Sequence, residues 1–184
     1  MEAATKQNRK TYDMVYIGIF AVLIALCSWI SIPATVPFTL QTMGVFLAVG
    51  ILGGRRGTLA VLVYLLLGGV GIPVFAGFSG GIGILLSNTG GYLAGFLLSA
   101  LLMWGIEKAF GRSTIILGVS MVLGLIVCYA AGTFWFMAVY GAETGAVGIG
   151  TVLAWCVIPF IIPDLVKIAV ALVLTKRLAG VVKR

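Results

Sequence analysis

Long stretches without a charged residue constrain this chain more than any other feature of its sequence. Residues 14–54, 58–106 and 113–142 contain no Asp, Glu, Lys or Arg. Only 9% of all residues are charged, whereas about 25% are charged in a typical soluble domain. The apolar runs are too long and too numerous for a signal peptide or a peripheral anchor. The sequence therefore predicts an integral membrane protein.

The hydrophobic segments predict an all-α protein with six transmembrane helices in one membrane domain that covers residues 1–184. We expect the six spans approximately at residues 14–32, 38–53, 58–69, 90–104, 115–140 and 151–174. A membrane-spanning helix needs about 20 apolar residues, so the chain has room for these spans and short connectors, without a soluble domain. Residues 1–13 and 175–184 are expected to be cytoplasmic tails.

The basic residues predict the orientation of the six spans. When both termini are placed in the cytoplasm, 11 of the 12 Lys and Arg residues fall on the cytoplasmic side. This distribution satisfies the positive-inside rule. We therefore attribute the net charge of +7 to membrane topology rather than to nucleic-acid binding. The twelfth basic residue, Lys167, falls inside the last predicted span.

A glycine-rich loop at residues 68–89 is expected on the outer side. Its first part, from Gly68 to Gly81, contains too much glycine for a plain membrane helix and is too apolar for an ordinary solvated loop. Irregular backbone at membrane depth is tolerated where it is buried in protein or lines a cavity. We therefore interpret residues 68–89 as a re-entrant or lid-like loop over a binding site, with a glycine linker as the alternative.

Asp164 and Lys167 form an oppositely charged pair within the last predicted span. A charged residue at the centre of a membrane helix costs at least about 2.5–3.5 kcal/mol, so such residues usually mark functional sites. Residues three apart share one face of a helix and can meet. Pro163 is expected to begin a helical half, and Pro159 to leave backbone groups free one turn earlier. A buried structural pair and a proton relay are the alternatives.

Further polar residues are expected at the outer ends of the spans, where they would face the same pocket. The candidates for ligand binding are Thr39, Gln41, Thr42, Asn88 and Tyr92, together with Asp164 and Lys167. Ligand pockets are mostly apolar, with a few convergent polar groups that orient the ligand. A lysine suits an anionic group, whereas Asp164 and Asn88 suit N–H donors. Gln41 and Thr42 could instead only link helices to one another.

The sequence lacks the motifs that catalysis would need. No Gly-x-x-x-x-Gly-Lys-Ser/Thr motif for ATP occurs. The chain has no histidine, five acidic residues and three scattered cysteines without a Cys-x-x-Cys pattern. We therefore expect no metal site, no cofactor and no enzymatic activity, and we expect a binding function instead.

Two small residues at a spacing of four, Ala21 and Ala25, occur in the first predicted span. Such small-x-x-x-small patterns let membrane helices approach closely. Gly91 and Gly95 form the same pattern in the fourth predicted span. Both patterns predict helix-packing seams inside the protein.

Four segments together resemble the BioY family, the biotin-binding S components of energy-coupling-factor (ECF) vitamin transporters. They are residues 36–42 (VPFTLQT), 71–77 (GIPVFAG), 89–96 (TGGYLAGF) and 159–167 (PFIIPDLVK). The resemblance covers essentially the whole chain. It implies a six-helix protein in the plasma membrane of a prokaryote that binds biotin from outside with high affinity.

The resemblance also implies partners and residue roles. The partners would be a transmembrane coupling protein, the T component, and two ABC-type ATPases, which would supply the energy for release of biotin inward. Ala21 and Ala25 would dock the coupling protein, and Asn88, Asp164 and Lys167 would hydrogen-bond biotin. An S component for another small vitamin, a stand-alone secondary transporter or channel, and a structural membrane subunit remain alternatives.

Overall fold

The computed structural model describes residues 2–34, 36–145 and 147–178 and has one helical bundle. Its helices are α1 (Glu2–Trp29), α2 (Gln41–Leu52), α3 (Gly54–Gly69), α4 (Ile82–Leu86), α5 (Gly90–Phe110), α6 (Thr114–Thr144), α7 (Ile149–Cys156) and α8 (Ile158–Leu178). Two short strands, β1 (Ser31–Ile32) and β2 (Phe38–Thr39), form an antiparallel pair in which Ser31 lies opposite Thr39. The predicted all-α membrane class is confirmed, with this small hairpin as an addition.

Four helices of the described chain are long and apolar enough to cross a membrane. They are Lys10–Trp29, Gly90–Phe110, Thr114–Ala142 and Ile158–Leu178. Helix α2 is apolar but has only 12 residues, and α3 has 16 residues, fewer than the roughly 20 that a perpendicular crossing needs. The number of six crossings therefore stays a prediction.

The last predicted span is broken into two helices. Helix α7 ends at Cys156 and α8 begins at Ile158, and Val157 between them has non-helical dihedral angles of φ −127° and ψ −57°. Pro159 lies in the first turn of α8, where its missing N–H has no helical partner to lose. Pro163 lies inside α8. The prediction that Pro163 begins a helical half was wrong, because Pro159 occupies that position.

The predicted tails and loop are more regular than expected. The backbone from Glu2 onward is helical and continuous with the rest of α1, so residues 2–13 of the predicted tail belong to this helix. At the other end α8 continues to Leu178, and residues 179–184 lie outside the described chain. The loop at residues 68–89 contains the end of α3, a 3₁₀ turn at Ala76–Phe78 and helix α4.

Glycines allow α5 and α6 to pack closely. A methyl group at Gly91 would lie 2.1 Å from Cβ of Trp135, and one at Gly95 would lie 3.1 Å from the backbone of Cys128. On the facing helix, a methyl group at Gly132 would lie 2.2 Å from the ring of Tyr92. The helix-packing seam predicted from Gly91 and Gly95 is therefore present, and it holds Tyr92 in place.

Candidate functional site

A cavity of about 250 Å³ lies at the end of the bundle where the β-hairpin, the glycine-rich loop and the α7–α8 break come together. One water molecule needs only about 10–15 Å³ on this measure, so the space suits a small organic molecule. Its polar wall consists of Thr39, Gln41, Thr42, Ser79, Thr89, Tyr92, Tyr129, Asp164 and Lys167. Its apolar wall includes Phe75, Leu93, Phe96 and Phe160.

Asp164 and Lys167 form a buried ion pair in the wall of this cavity. Only 3% of Asp164 and 6% of Lys167 is exposed. Nζ of Lys167 lies 2.7 Å from Oδ1 of Asp164 and donates a second hydrogen bond, 2.6 Å long, to the backbone oxygen of Thr39. The ammonium group also lies 4.1 Å from the ring centroid of Phe38, a cation–π contact. Residues of the β-hairpin, Phe38 and Thr39, thus hold the ammonium group of this α8 lysine in position.

The carboxylate of Asp164 accepts hydrogen bonds from side chains on three helices. Its Oδ1 accepts hydrogen bonds from Lys167 on α8 and from the hydroxyl of Thr42 on α2, the latter 3.0 Å long. Its Oδ2 accepts a 2.6 Å hydrogen bond from the hydroxyl of Tyr129 on α6. A buried charge is tolerated only when it is paired and hydrogen-bonded. This arrangement satisfies Asp164 and orients it at the cavity wall.

Gln41 joins the cavity wall to α3. Its Oε1 accepts a 3.0 Å hydrogen bond from the hydroxyl of Thr39, and its Nε2 donates a 2.5 Å hydrogen bond to the hydroxyl of Tyr64. Gln41 and Tyr64 are buried. The amide of Gln41 therefore lines the cavity and also links α2 to α3. Both interpretations of this residue from the sequence, a cavity residue and a link between helices, apply.

Six of the seven residues predicted to bind a ligand line this one cavity: Thr39, Gln41, Thr42, Tyr92, Asp164 and Lys167. Tyr92 is 8% exposed, and its hydroxyl lies 3.5 Å from the backbone oxygen of Cys156. Asn88 is not part of the cavity wall, although the next residue, Thr89, is. The side-chain oxygen of Asn88 is buried without a hydrogen-bond partner in the described chain.

Tyr129 is a cavity residue that sequence reasoning missed. It lies near the middle of α6, the most apolar of the four long helices, and its hydroxyl is one of the three donors to Asp164. A hydroxyl group in the centre of such a helix needs a partner, because lipid offers none. That requirement is the signal in the sequence that could have identified Tyr129.

The glycine-rich loop forms part of the cavity wall and is attached to α1. Phe75, Ala76 and Ser79 line the cavity. The hydroxyl of Ser28 donates a 2.5 Å hydrogen bond to the backbone oxygen of Val74, and Trp29 Nε1 donates a 2.9 Å hydrogen bond to that of Pro73.

Aromatic rings and close backbone packing add to this attachment. The rings of Trp29 and Phe78 stack with their centroids 4.9 Å apart. A methyl group at Gly68 would lie 2.0 Å from the ring of Phe75, so only glycine lets this ring lie against α3. The end of α1 and the end of α3 together hold the loop over the cavity.

Ala21 and Ala25, the expected docking residues, are buried inside the protein. Their exposed fractions are 1% and 4%. The exposed positions on the membrane-spanning part of α1 include instead the large apolar residues Val15, Ile19, Val22 and Leu26. Neither methyl group can contact a partner while α1 keeps this packing. Docking through these alanines therefore stays a prediction that their burial in this conformation does not support.

The geometry defines a helical membrane protein with a mostly apolar cavity for a small molecule, whose polar groups converge from α2, α6 and α8. A sequence model of the BioY family matches residues 2–184. The chain belongs to the BioY family.

Individual proteins of the family are similar to this chain in sequence. The chain is 42% identical over 167 residues to a biotin transporter BioY from Thermotoga maritima, covering 90% of this chain and 95% of the relative. It is 37% identical over 172 residues to a probable biotin transporter BioY from Pyrococcus horikoshii, covering 93% and 98%.

A solved structure has the same fold. The crystal structure of the S-component for biotin from an ECF-type ABC transporter superposes with a TM-score of 0.84 at 26% sequence identity. The superposition covers 94% of this chain and 93% of that chain. The predicted S-component fold is therefore confirmed.

Proposed function

We propose that this protein is the biotin-specific S component of an ECF-type ABC importer in the plasma membrane of a prokaryote. The observation that carries the proposal is the buried pair Asp164–Lys167 in the wall of a cavity suited to a small molecule. The chain belongs to a family whose members are named biotin transporters, and its fold matches a biotin S-component.

The unused hydrogen-bonding capacity of the pair fits the ureido ring of biotin. A carboxylate has about four acceptor positions and an ammonium has three donors. Asp164 accepts three hydrogen bonds within the protein, and Lys167 donates two. One acceptor position on Oδ2 of Asp164 and one donor position on Lys167 remain. A ureido group presents an N–H donor beside a carbonyl acceptor. This match favours the ureido ring over the carboxylate of biotin as the partner of the pair.

The rest of the cavity has the chemistry that the remainder of biotin requires. Leu93, Phe96 and Phe160 give an apolar surface for the sulfur-containing ring and the hydrocarbon chain. The hydroxyls of Ser79 and Thr89 lie in the wall formed by the loop and the start of α5, where they can hydrogen-bond the carboxylate. Asn88, adjacent to Thr89, becomes a contact in this proposal if the loop moves when biotin binds.

Transport by this chain requires partners that use ATP. The sequence has no ATP-binding motif, so the S component captures biotin, and a transmembrane T component with two ABC-type ATPases drives its release inward. In this role the chain is a binding subunit that needs no cofactor and catalyses no reaction. Biotin is the transported ligand.

Uptake measurements in a biotin-auxotrophic bacterium that lacks its own biotin transporter test the proposal. Coexpression of this chain with its T component and ATPases should give ATP-dependent uptake of labelled biotin, and an ATPase-inactive partner should abolish it. Full uptake without partners would identify a stand-alone carrier. Uptake of a different vitamin that biotin does not inhibit would identify an S component of other specificity.

Tyr129→Phe is expected to weaken biotin binding about tenfold, because Oδ2 of Asp164 loses its donor and the charged acceptor is left partly unsatisfied. Isothermal titration calorimetry on the purified protein measures the effect. Tyr16→Phe, which removes a hydroxyl from α1 away from the cavity, is the control and should bind as the wild type does. Equal affinities of the two variants would contradict the role of Tyr129.

Trp29→Ala is expected to increase the rate of biotin dissociation about tenfold, because the loop loses a hydrogen bond and a stacked ring. Trp29→Phe keeps a ring for Phe78 but loses the N–H, so its rate should be intermediate. Stopped-flow displacement of a fluorescent biotin analogue measures both rates. Identical rates for the wild type and both variants would show that this attachment does not retain the ligand.

A further inference from the structure

A second, smaller cavity lies at the opposite end of the bundle from the cavity that contains Asp164 and Lys167. Its volume is about 100 Å³, and it is formed by the end of α2, the start of α6 and the end of α8. Lys176 in its wall follows Lys167 by nine residues on α8, which corresponds to about 14 Å along the helix axis. Three candidate spans begin or end beside it, at Phe110, Thr114 and Leu178. This position places the second cavity at the membrane surface.

Two basic side chains line the second cavity. Arg112 donates a hydrogen bond to the backbone oxygen of Gly50, and its Nη1 lies 3.8 Å from Oε1 of Glu107. Glu107 contacts Arg112 but is not part of the cavity wall. Within the described ranges, Lys176 forms no ion pair. Among the residues that the structure describes, the wall therefore carries two positively charged side chains, Arg112 and Lys176, and no acidic one.

The start of α6 adds backbone donors to the same wall. Ser113 and Thr114 both line the cavity. The hydroxyl of Ser113 caps the helix by accepting a 3.2 Å hydrogen bond from the backbone N–H of Ile116. The other N–H groups of the first turn have no partner inside the helix, and together with the helix dipole they favour an anion.

Thr175 supplies an independent sign of a ligand site in this wall. It lines the cavity and is 4% exposed, and its buried Oγ1 has no hydrogen-bond partner in the described chain. A buried hydroxyl without a partner is unfavourable and uncommon in proteins. The Oγ1 lies beside Gly50, where an added methyl group would approach it to 2.5 Å. The hydroxyl thus lies at the contact between α8 and α2, in the wall of the cavity.

We propose that the second cavity binds the phosphate group of an anionic membrane lipid. The wall offers hydrogen-bond donors and positively charged side chains. The oxygens of a phosphate group accept hydrogen bonds from such donors, and its negative charge is attracted to the basic side chains. Its small volume admits a phosphate group, and its position at the ends of three spans leaves the acyl chains beside the apolar helices. Basic pockets between membrane helices are known to bind anionic headgroups. A free phosphate ion has the same chemistry, so the experiment distinguishes the two sources.

Native mass spectrometry of the full-length protein, titrated with phosphatidylglycerol, tests the proposal. Lys176→Gln should weaken lipid binding about tenfold, because a charged donor to the phosphate is lost. Thr175→Val, which keeps the shape of the side chain, should weaken it about threefold. Arg177→Gln removes the same charge from the same helical turn but lies outside the cavity wall, and it should weaken binding by no more than about twofold.

Equal losses for Lys176→Gln and Arg177→Gln would overturn the proposal, because they would indicate general surface attraction. Equal binding of phosphatidylglycerol and zwitterionic phosphatidylcholine would overturn it as well. If inorganic phosphate raises the melting temperature of the wild type but not of Lys176→Gln, and phosphatidylglycerol does not bind, the ligand is the free ion and the lipid source is wrong. Biotin titration of each variant confirms folding and is independent of the lipid result.

Discussion

Replacing Lys167 by alanine is expected to weaken biotin binding by more than tenfold. The change removes one donor to the ligand and also leaves the carboxylate of Asp164 buried with one partner fewer. Truncating one partner of a buried ion pair typically costs about 3–5 kcal/mol, because the other charge remains uncompensated. Asp164→Asn should also weaken binding by more than tenfold, or at least about 1.4 kcal/mol. Isothermal titration calorimetry measures both changes.

A double variant separates a binding role from a structural one. Asp164→Asn combined with Lys167→Met removes both charges, so no buried charge is left unpaired, and stability should recover relative to the single variants. If the pair binds biotin, affinity stays low in the double variant. If the pair is only structural, affinity returns with stability. Arg177→Ala, which removes a basic residue from the same helix outside the cavity, is the control for net charge.

Replacing Ala21 by tryptophan is expected to destabilise the fold and to abolish biotin binding. Ala21 is 1% exposed, and its neighbour in the core, Ile24, is fully buried. Adding even a few methylene groups to a packed core typically costs about 1–3 kcal/mol, and an indole adds much more volume. Thermal unfolding in detergent, followed by biotin titration, measures the effect.

The adjacent position provides a matched control for this prediction. Val22 is 56% exposed, so Val22→Trp adds a similar volume on the outside of α1 and should leave unfolding and biotin affinity unchanged. If Ala21→Trp instead retains full stability and biotin binding but fails to assemble with the coupling protein, α1 docks through its alanines, and the packing described here changes in the transporter. That result would restore the docking role inferred from family resemblance.

The membrane class, the helical architecture and most of the polar side chains in the cavity wall could be predicted from the sequence. Long uncharged apolar runs predict membrane helices, because a helix satisfies all backbone hydrogen bonds within one segment. The charged pair was identifiable because buried charges in a membrane helix rarely occur without a function. Its spacing of three residues placed both side chains on one helix face, as observed for Asp164 and Lys167.

Features that depend on neighbouring helices could not be predicted. Two prolines four residues apart allow two helix starts, and only packing of α7 against α8 shows that the break is at Val157. The hydrogen bond from the hydroxyl of Tyr129 to Asp164 depends on the packing of α6 against α8, which the sequence does not give. Small residues at a spacing of four fit an internal seam and an external docking face equally well. The burial of Ala21 and Ala25 favours the internal seam in this conformation.

A structure of this protein determined with biotin would show whether the buried pair Asp164–Lys167 binds the ligand. We expect density for biotin in the 250 Å³ cavity, with the ureido ring within about 3.2 Å of both the carboxylate of Asp164 and the ammonium of Lys167. The carboxylate of biotin should lie toward Ser79 and Thr89. Biotin bound elsewhere, or bound in the cavity without a hydrogen bond to either charged residue, would show that the pair does not form the binding site.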